Sequence, residues 1–429
     1  MTRAVSNGYA VYALLLLCLA NIANYGQRMV VSILLPAIKT DVALTDAQLG
    51  LLMGGGFAIF YAIAGVPLAR FADRHGRVRW LSTAIIFWSA ATGLFAMART
   101  FLEMLAARVA LGTGQSMCIP TSHSLLGDYV KAENRPFALG VHSAGGVLGA
   151  TLAMVLGGYL GPRIGWRAVL GLFALGGMAF AAIIWLTLRE PVAARAPVDS
   201  GYVPLRRVIP HLVALRSYVL VLIAACFAML VEYGLNQWLP SYYVRQFALP
   251  VEDVGYRYGV AIAVGGVPGS VFGGMWVTSL ARRDARWLVW FPAIMYMAAI
   301  PTGLCMLLAS SASVALVLNA CYAFAIFSTN GALWGACFVH VPAELRATTS
   351  ALTLLVAGIA GLAVGPVVVG LLSDALTARL GQQSLQISLV AVECLAILVV
   401  APLLLAGPFV AREGRARVGF AQPVHSSGS

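Results

Sequence analysis

Four charged side chains interrupt long apolar stretches of this sequence and are the first candidates for chemistry: Arg28, Arg108, Glu232 and Glu393. If those stretches cross a membrane, each charge costs about 2.5–3.5 kcal/mol at the bilayer centre, so such residues usually bind, gate or carry ions. His123 and His142 lie at comparable depth and could line a cavity. A lone histidine is more often a packing residue, which is the interpretation we favour for His123.

The residues around Arg28 form a polar face. Asn21, Asn24, Tyr25, Arg28 and Ser32 recur at helical spacing, which places them on one side of a helix. That side is too polar for lipid, so it is predicted to face the bundle interior or a wet cavity. We therefore predict that Arg28 binds substrate or acts in gating, rather than serving the structure alone.

A second polar face is predicted around Arg108. In the run Arg108-Val-Ala-Leu-Gly-Thr-Gly-Gln115, the residues Arg108, Gly112 and Gln115 share one side of a helix. The sequence leaves two roles open for Arg108: it anchors the cavity wall, or it touches substrate.

A third group surrounds Glu232. Asn236 and Tyr243 lie on or near the same helical face as this carboxylate. We predict that Glu232 lies within reach of Arg28, directly or through water. The pair could then couple protonation of Glu232 to the binding or release of substrate. The alternative is a fixed structural ion pair. Glu393 has no obvious partner, and we interpret it as structural or as lying at the lipid edge.

Composition indicates the class of protein that holds these charges. The 429 residues are 60% hydrophobic and 10% charged, with a mean hydropathy of +0.87. Soluble chains carry roughly 25% charged residues, so this composition predicts a multi-pass membrane protein. The net charge of +12 then reflects topology rather than a nucleic-acid partner.

Enzyme and metal chemistry find no support in the motifs. The seven cysteines lie within apolar segments and form no CxxC or Cys/His cluster, so no metal or disulfide is predicted. There is no G-x-S-x-G motif and no phosphate-binding loop. We therefore expect neither a cofactor nor enzymatic activity. The long first apolar run argues against a cleavable signal peptide.

The apolar stretches predict an all-α fold, because only closed hydrogen-bonded helices satisfy the backbone in lipid. We count about twelve spans in this polytopic membrane chain. They cover roughly 9–38, 46–72, 78–98, 101–130, 136–163, 166–188, 217–246, 252–280, 286–309, 312–340, 346–375 and 385–411.

The arginines orient these spans. Most of the loop arginines fall on one side if both termini are cytoplasmic, and the positive-inside rule favours that arrangement in the inner cell membrane. A hydrophilic break rich in Pro and Arg separates spans six and seven. We divide the chain into an N-terminal six-helix half (1–190), a cytoplasmic linker (191–216), a C-terminal six-helix half (217–412) and a cytoplasmic tail (413–429).

The two halves repeat. Arg74-His-Gly-Arg-Val-Arg-Trp-Leu81 closes span two, and Arg282-Arg-Asp-Ala-Arg-Trp-Leu288 closes span eight. Two pseudo-symmetric halves are typical of transporters, with the substrate site near the midplane between them.

The loop from Gly65 to Trp80 resembles the helix 2–3 loop of the major facilitator superfamily, G-x-x-x-(D)-x-x-G-R-[RK]. A tight basic turn between two spans needs a glycine for its sharp reversal. The resemblance implies a twelve-helix fold and a gating or conformational role for six loop residues. These are Gly65, Arg70, Asp73, Arg74, Gly76 and Arg77.

Residues 20–190 resemble the Spinster-like branch of that superfamily, with a weaker similarity over 217–375. The runs that carry it include Asn24-Tyr-Gly-Gln-Arg28, Phe60-Tyr-Ala-Ile-Ala-Gly65 and Pro120-Thr-Ser-His-Ser-Leu-Leu-Gly-Asp-Tyr129. The branch usually shows N-Y-x-D-R in helix one and G-x-G-E in helix four. Here the two acidic positions are Gln27 and Gln115, and amides cannot carry the family's proton.

The resemblance implies a secondary active transporter working by alternating access, for some members on lysolipids or sphingoid-type amphiphiles, often with protons as coupling ion. For this chain we expect a small organic solute, amphipathic or anionic. Proton coupling stays open: Glu232 has taken it over, or the protein is an uncoupled facilitator. The sequence is also compatible with a transporter-like sensor or receptor, or with a channel. Membrane lipid and protons are expected partners, nucleic acid is not, and a monomer is the usual state.

Overall fold

The computed structural model describes residues 7–131, 134–191, 205–338, 341 and 346–420, and every regular element in these ranges is helical. The prediction of an all-α fold is therefore confirmed. The α-helices are α1 (Asn7–Val42), α2 (Asp46–Gly50), α3 (Gly56–His75), α4 (Arg77–Met97), α5 (Phe101–Gln115), α6 (Cys118–Tyr129), α7 (Arg135–Thr187), α8 (Leu205–Ala214), α9 (Arg216–Phe247), α10 (Val251–Arg283), α11 (Trp287–Leu307), α12 (Ala312–Phe338), α13 (Arg346–Gly358), α14 (Gly365–Leu380), α15 (Ser384–Cys394) and α16 (Ile397–Phe420).

Two short π-helical segments interrupt this series. Leu51–Gly55 joins α2 to α3, and Ile359–Val364 joins α13 to α14. A π-helical turn leaves backbone groups outside the regular ladder, and such turns often occur at functional sites.

Nine helical segments within the described ranges are long and apolar enough to cross a membrane, so a multi-pass membrane protein is confirmed. The number twelve stays a prediction, as do the division into halves and the cytoplasmic termini. One reason is α7, which runs through two predicted spans and is kinked at Gly165, where φ is +80°. This backbone conformation favours glycine. Of the predicted linker 191–216, residues 192–204 lie outside the described residues, and Leu205–Ala214 forms α8.

The chain divides into two compact units. Unit 1 contains residues 1–199, 233–263 and 362–389. Its core joins α1, α3, α4, α6 and α7 through buried apolar side chains that include Leu17, Trp88, Leu125 and Ile184. A side chain at Gly149 of α7 would collide with the Ile22 carbonyl of α1, so glycine permits this close helix contact.

Unit 2 contains residues 200–232, 264–361 and 390–429. Here α11 packs against both α12 and α16. One of its cores is formed by Val277, Phe291 and Ala332. A side chain at Gly407 of α16 would collide with the indole ring of Trp290, so glycine also permits this close helix contact.

Candidate functional site

Arg28 lies on α1 inside unit 1 with only 3% of its surface exposed. Three aromatic rings surround its guanidinium carbon: their centroids lie 4.5 Å away for Phe57, 4.9 Å for Tyr25 and 5.0 Å for Tyr61. Each ring face is attractive to a cation, by about 0.5–2 kcal/mol depending on desolvation. The rings hold the positive charge in place without neutralising it.

Two amide side chains accept hydrogen bonds from Arg28. Its Nε donates to Oε1 of Gln115 at 3.3 Å, and its Nη2 donates to Oδ1 of Asn24 at 3.2 Å. Gln115 in turn donates from Nε2 to the Asn24 carbonyl at 2.9 Å, which ties α5 to α1. Among the described residues of unit 1, no carboxylate forms an ion pair with Arg28. The guanidinium is oriented but its charge is not balanced within the unit.

Gln27, the other amide at a family acid position, turns away from Arg28. Its Nε2 donates to Ser89 Oγ at 3.1 Å and to the Phe173 carbonyl at 3.0 Å, while its Oε1 accepts from Thr92 at 2.8 Å. All three partners lie on α4 and α7. Gln27 therefore joins these two helices to α1, and both its amide nitrogen and its amide oxygen have hydrogen-bond partners there.

Arg108 is buried and bonds to backbone. Its Nε donates to the Leu52 carbonyl at 2.6 Å, and Leu52 belongs to the π-helical segment Leu51–Gly55. A backbone carbonyl has two lone pairs and can accept from a side chain as well as from the helix, and Arg108 supplies such a donor here. This contact anchors the side chain, which also lines a small cavity with Gln27 and Thr92. Both predicted roles of Arg108 stay open. Its Nη2 is buried without a hydrogen-bond partner.

His142 and His123 form a pair that the sequence did not indicate. Their rings are 4.9 Å apart, centroid to centroid, and almost perpendicular. His142 is 1% exposed, and both of its ring nitrogens and Nε2 of His123 lack hydrogen-bond partners. The backbone carbonyl of His142 accepts from Asn21 Nδ2 at 2.8 Å, which ties α7 to the polar side of α1.

In unit 2, Glu232 lines a cavity. Its walls come from α9, α11 and α12, and include Tyr296, Asn330 and Trp334. Asn236, one turn along α9, belongs to unit 1, where its backbone carbonyl and Oδ1 face the Tyr258 hydroxyl at 3.4 and 3.3 Å. Asn236 thus helps to hold α9 against α10. The proximity of Glu232 to Arg28 stays a prediction.

Glu393 corrects one interpretation. The sequence suggested a structural or lipid-edge residue, but its side chain is 0% exposed. Its Oε2 accepts a hydrogen bond from the Tyr322 hydroxyl at 2.9 Å. The lipid-edge interpretation is wrong, because the carboxyl group points into the packed side of α15.

The loop between α3 and α4 is built around Gly76 and Arg77. Gly76 has φ +103°, which favours glycine. Arg77 is buried and donates from Nη2 to Asp128 at 2.5 Å and from Nη1 to Ser124 at 2.8 Å. Its backbone N–H and Nε both donate to Glu190 Oε1, at 3.1 and 3.5 Å. These contacts join α4 and α6 to the segment that follows α7. The gating role of the loop stays a prediction.

The other predicted loop residues are less informative. A side chain at Gly65 would meet Ser116 at an ordinary 3.7 Å, so Gly65 brings α3 close to α5 without being essential for space. Arg70, Asp73 and Arg74 belong to α3, but their side chains lie outside what the structure describes.

A charged cluster, which we call the Asp46 cluster, was missed by sequence reasoning. It comprises Lys39, Asp46, Arg245, Ser373 and Asp374. The buried Asp46 carboxylate accepts from Lys39 at 2.6 Å, from Ser373 at 2.7 Å and from both terminal nitrogens of Arg245 at 2.7 and 2.8 Å. Asp374 accepts from the N–H groups of Asp46 and Ala47 at 2.9 and 2.8 Å.

The Asp46 cluster joins the ends of α1 and α9 and the start of α2 to the middle of α14 within unit 1. A capping box between Thr45 and Gln48 begins α2 and fixes the backbone at Asp46. Arg245 lies near the end of α9, and Asp374 lies on α14. Nothing in the sequence near Asp46 identified its partners.

The comparisons with known proteins agree with this architecture. The family profile described as Major Facilitator Superfamily matches residues 17–366. An MFS-type efflux pump of Mycolicibacterium smegmatis is 29% identical over 376 residues, covering 86% of either chain. A hexuronate transporter of Bacillus subtilis is 25% identical over 381 residues, covering 84% of this chain and 87% of the relative.

A solved structure is similar over nearly the whole chain. It is a crystal structure of a bacterial homolog to the human lysosomal transporter Spinster, in an inward-facing and unoccupied conformation. The TM-score is 0.85 at 26% identity, covering 95% of this chain and 99% of the other. The Spinster-like resemblance is confirmed, and these relatives are transporters rather than enzymes.

Proposed function

Because this chain belongs to the major facilitator superfamily, we propose that it moves a small organic anion across the inner cell membrane by alternating access. Both termini lie in the cytoplasm in this proposal, and the monomer is the working unit. One observation carries the choice of an anion: the buried guanidinium of Arg28, which amides and aromatic rings orient and no described carboxylate of its unit neutralises.

The surroundings of Arg28 define the solute further. A guanidinium binds carboxylate or phosphate groups through two parallel hydrogen bonds. The rings of Phe57 and Tyr61 lie beside it and offer apolar surface to the rest of the solute. A carboxylate with an adjoining apolar or ring-shaped body fits this site. The hexuronate transporter among the relatives supports an organic anion, and the resemblance to the Spinster-like branch is compatible with an amphipathic one.

We assign the coupling ion as the proton and its carrier as Glu232. The family positions that would hold acids are Gln27 and Gln115, which cannot titrate. Glu232 lines a cavity with polar groups in its wall, among them Asn330. A carboxyl group that water reaches from one side in one state of the transport cycle, and from the other side in the other state, can take up a proton on one side and release it on the other.

Counterflow in proteoliposomes tests the anion site. Wild type and Arg28→Lys are compared with Arg257→Lys, a matched change at an exposed arginine paired with Asp253. The probes are a hexuronate, an aromatic carboxylate and a lysophospholipid. We expect Arg28→Lys to weaken affinity for the transported anion by about 10–100-fold, since lysine cannot make the bidentate contact. Equal affinity in both variants would refute the role of Arg28.

A pH gradient separates coupled transport from facilitation. Glu232→Gln is expected to retain counterflow but to lose uphill accumulation. If wild type only equalises the anion concentration across the membrane, the protein is a facilitator. If no probe moves while Arg28→Lys still alters binding, the sensor alternative is correct.

A further inference from the structure

Gln237 is a buried residue of α9 in unit 1 whose amide group is bonded at only one of its two ends. The residue is 0% exposed, and its Oε1 accepts a hydrogen bond from the Ser32 hydroxyl of α1. Its Nε2 is buried without a hydrogen-bond partner. Leaving a buried amide N–H group unpaired costs free energy, so such a group in a packed interior calls for an explanation.

A second unpaired group lies one turn further along α9. Ser241 is also 0% exposed, and its hydroxyl is buried without a hydrogen-bond partner. Residues four apart lie on the same face of a helix, one above the other. The face of α9 that carries Gln237 therefore presents an N–H donor and a hydroxyl group next to each other, and neither is used within the described residues.

The neighbours of Gln237 fix the rotation of α9. Trp238 donates from Nε1 to the Pro366 carbonyl of α14 at 2.9 Å. The backbone carbonyl and Oδ1 of Asn236 accept from the Tyr258 hydroxyl of α10 at 3.4 and 3.3 Å. Three successive residues of α9 thus contact three different helices. The orientation of Gln237 toward α1 follows from this packing.

The contact with Ser32 places Gln237 beside the anion site. Arg28 and Ser32 are four residues apart on α1, so they share one face and are separated by roughly 6 Å along the helix axis. Gln237 is bonded to Ser32 and is therefore about one helical turn along α1 from Arg28. A solute whose carboxylate binds Arg28 would bring the next few atoms of its skeleton to Gln237.

The unpaired groups define what those next atoms are. The Gln237 N–H groups donate, so the solute must offer an acceptor, while the Ser241 hydroxyl both donates and accepts. A solute hydroxyl group meets both requirements, and an apolar chain meets neither. A second carboxylate would need a cation, which neither of these residues carries.

We propose that Gln237 and Ser241 bind a hydroxyl group of the solute and that the solute is a hydroxylated carboxylic acid. Arg28 holds its carboxylate, and Gln237 donates from Nε2 to the hydroxyl oxygen. Gln237 is then the residue that distinguishes a hydroxylated acid from an apolar acid of the same charge. The proposal rests on the proposed function, since Arg28 supplies the carboxylate site.

The experiment measures binding of three acids to the full chain in nanodiscs by isothermal titration calorimetry. The probes are quinate, glucuronate and cyclohexanecarboxylate. Quinate and cyclohexanecarboxylate share a six-membered carbon ring and one carboxylate, and they differ only in hydroxyl groups. We expect wild type to bind at least one hydroxylated acid about tenfold or more tighter than cyclohexanecarboxylate, because a site that hydrogen-bonds a hydroxyl group discriminates against analogues that lack it.

Gln237→Met retains the length of the side chain and removes the amide. It should weaken binding of the hydroxylated acid by about 10–100-fold and leave the affinity for cyclohexanecarboxylate unchanged. Gln382→Met, the same change at an exposed glutamine, is the matched control and should bind as wild type does. Ser241→Ala removes one hydroxyl and little volume, so it should weaken the hydroxylated acid by about 3–10-fold even if Gln237→Met folds poorly.

Arg28→Lys separates this inference from the proposed function. It should weaken all three acids by the same factor, because Arg28 contacts only the carboxylate. If Gln237→Met and Ser241→Ala weaken all three acids equally, or weaken none, the hydroxyl site is overturned and Arg28→Lys decides the anion site by itself. A wild type that binds cyclohexanecarboxylate as tightly as the hydroxylated acids overturns the hydroxyl site alone. A wild type that binds none of the three also overturns the hydroxyl site, and counterflow of the lysophospholipid then decides the anion site.

Discussion

Gln115→Glu offers a sharp test of the Arg28 site, because it introduces the acid of the Spinster-like pattern at this position and changes little in volume. The Gln115 Oε1 atom accepts from Arg28 Nε at 3.3 Å. A carboxylate placed there would form an ion pair with the guanidinium. An anionic solute would then compete with an internal anion for the same cation.

The magnitude follows from that distance. Two unit charges 3.3 Å apart attract each other by about 5 kcal/mol at an effective dielectric constant of about 20. The desolvation of the new carboxylate offsets part of this attraction, so we expect about 2–3 kcal/mol to remain. At about 1.4 kcal/mol per factor of ten, the anion should bind roughly 30–150-fold more weakly.

The matched control is Gln27→Glu, the same chemical change at the other family acid position. Gln27 does not contact Arg28, and its Nε2 donates to the Phe173 carbonyl at 3.0 Å. A carboxylate would face that carbonyl oxygen without a proton between them, so the variant should unfold at lower temperature yet keep its affinity.

Binding of the transported anion to detergent-solubilised protein, measured by isothermal titration calorimetry at pH 8, compares the variants directly. Thermal unfolding is recorded for each variant in the same buffer. If Gln115→Glu binds the anion as tightly as wild type, Arg28 is not the anion site and the reasoning fails.

Four further changes test single features of the structure. Asp46→Asn removes the charge that pairs with Arg245, so the free energy of separating α2 from the end of α9 should fall by about 2 kcal/mol. A cysteine introduced nearby should then be labelled faster, and unchanged labelling would contradict this. Gly76→Ala should lower stability by about 1–3 kcal/mol in thermal unfolding, since φ is +103°. Arg108→Met should cost a similar amount by leaving a buried carbonyl unpaired, and an unchanged melting temperature would exclude the anchoring role. His142→Phe should leave the melting temperature unchanged or raise it, because it removes two unpaired nitrogens, so a loss of counterflow in that folded variant would assign His142 to the transport pathway.

The sequence predicted the polar face of α1 because the arrangement is local. Residues three or four apart share a helical side whatever surrounds the helix, so Asn24, Tyr25 and Arg28 could be placed together. Their partners could not be assigned in the same way. Gln115 and Arg108 share a face of α5, yet one contacts Arg28 and the other contacts the Leu52 carbonyl. The second contact depends on a π-helical turn that no residue pattern announced.

Long-range contacts explain most of what the sequence did not predict. The Asp46 N–H and its Asp374 acceptor are 328 residues apart in the chain. Glu393 and Tyr322 are 71 residues apart, and their contact depends on a glycine on a third helix. Such pairings follow from tertiary packing, and apolar periodicity in one sequence carries no record of them.

The departure from the family pattern at Gln115 has a further physical consequence. With an acid at the position of Gln115, Arg28 would be neutralised from within its own unit. The amide orients the same guanidinium and leaves its charge available to an anion. The change that removes a proton carrier therefore also strengthens the case for an anion site. If the proton is retained as the coupling ion, it must bind to carboxyl groups elsewhere. Among the described residues of unit 2, Glu232 lines a cavity with Tyr296, Glu393 is buried beside Tyr322, and neither carboxyl group forms an ion pair.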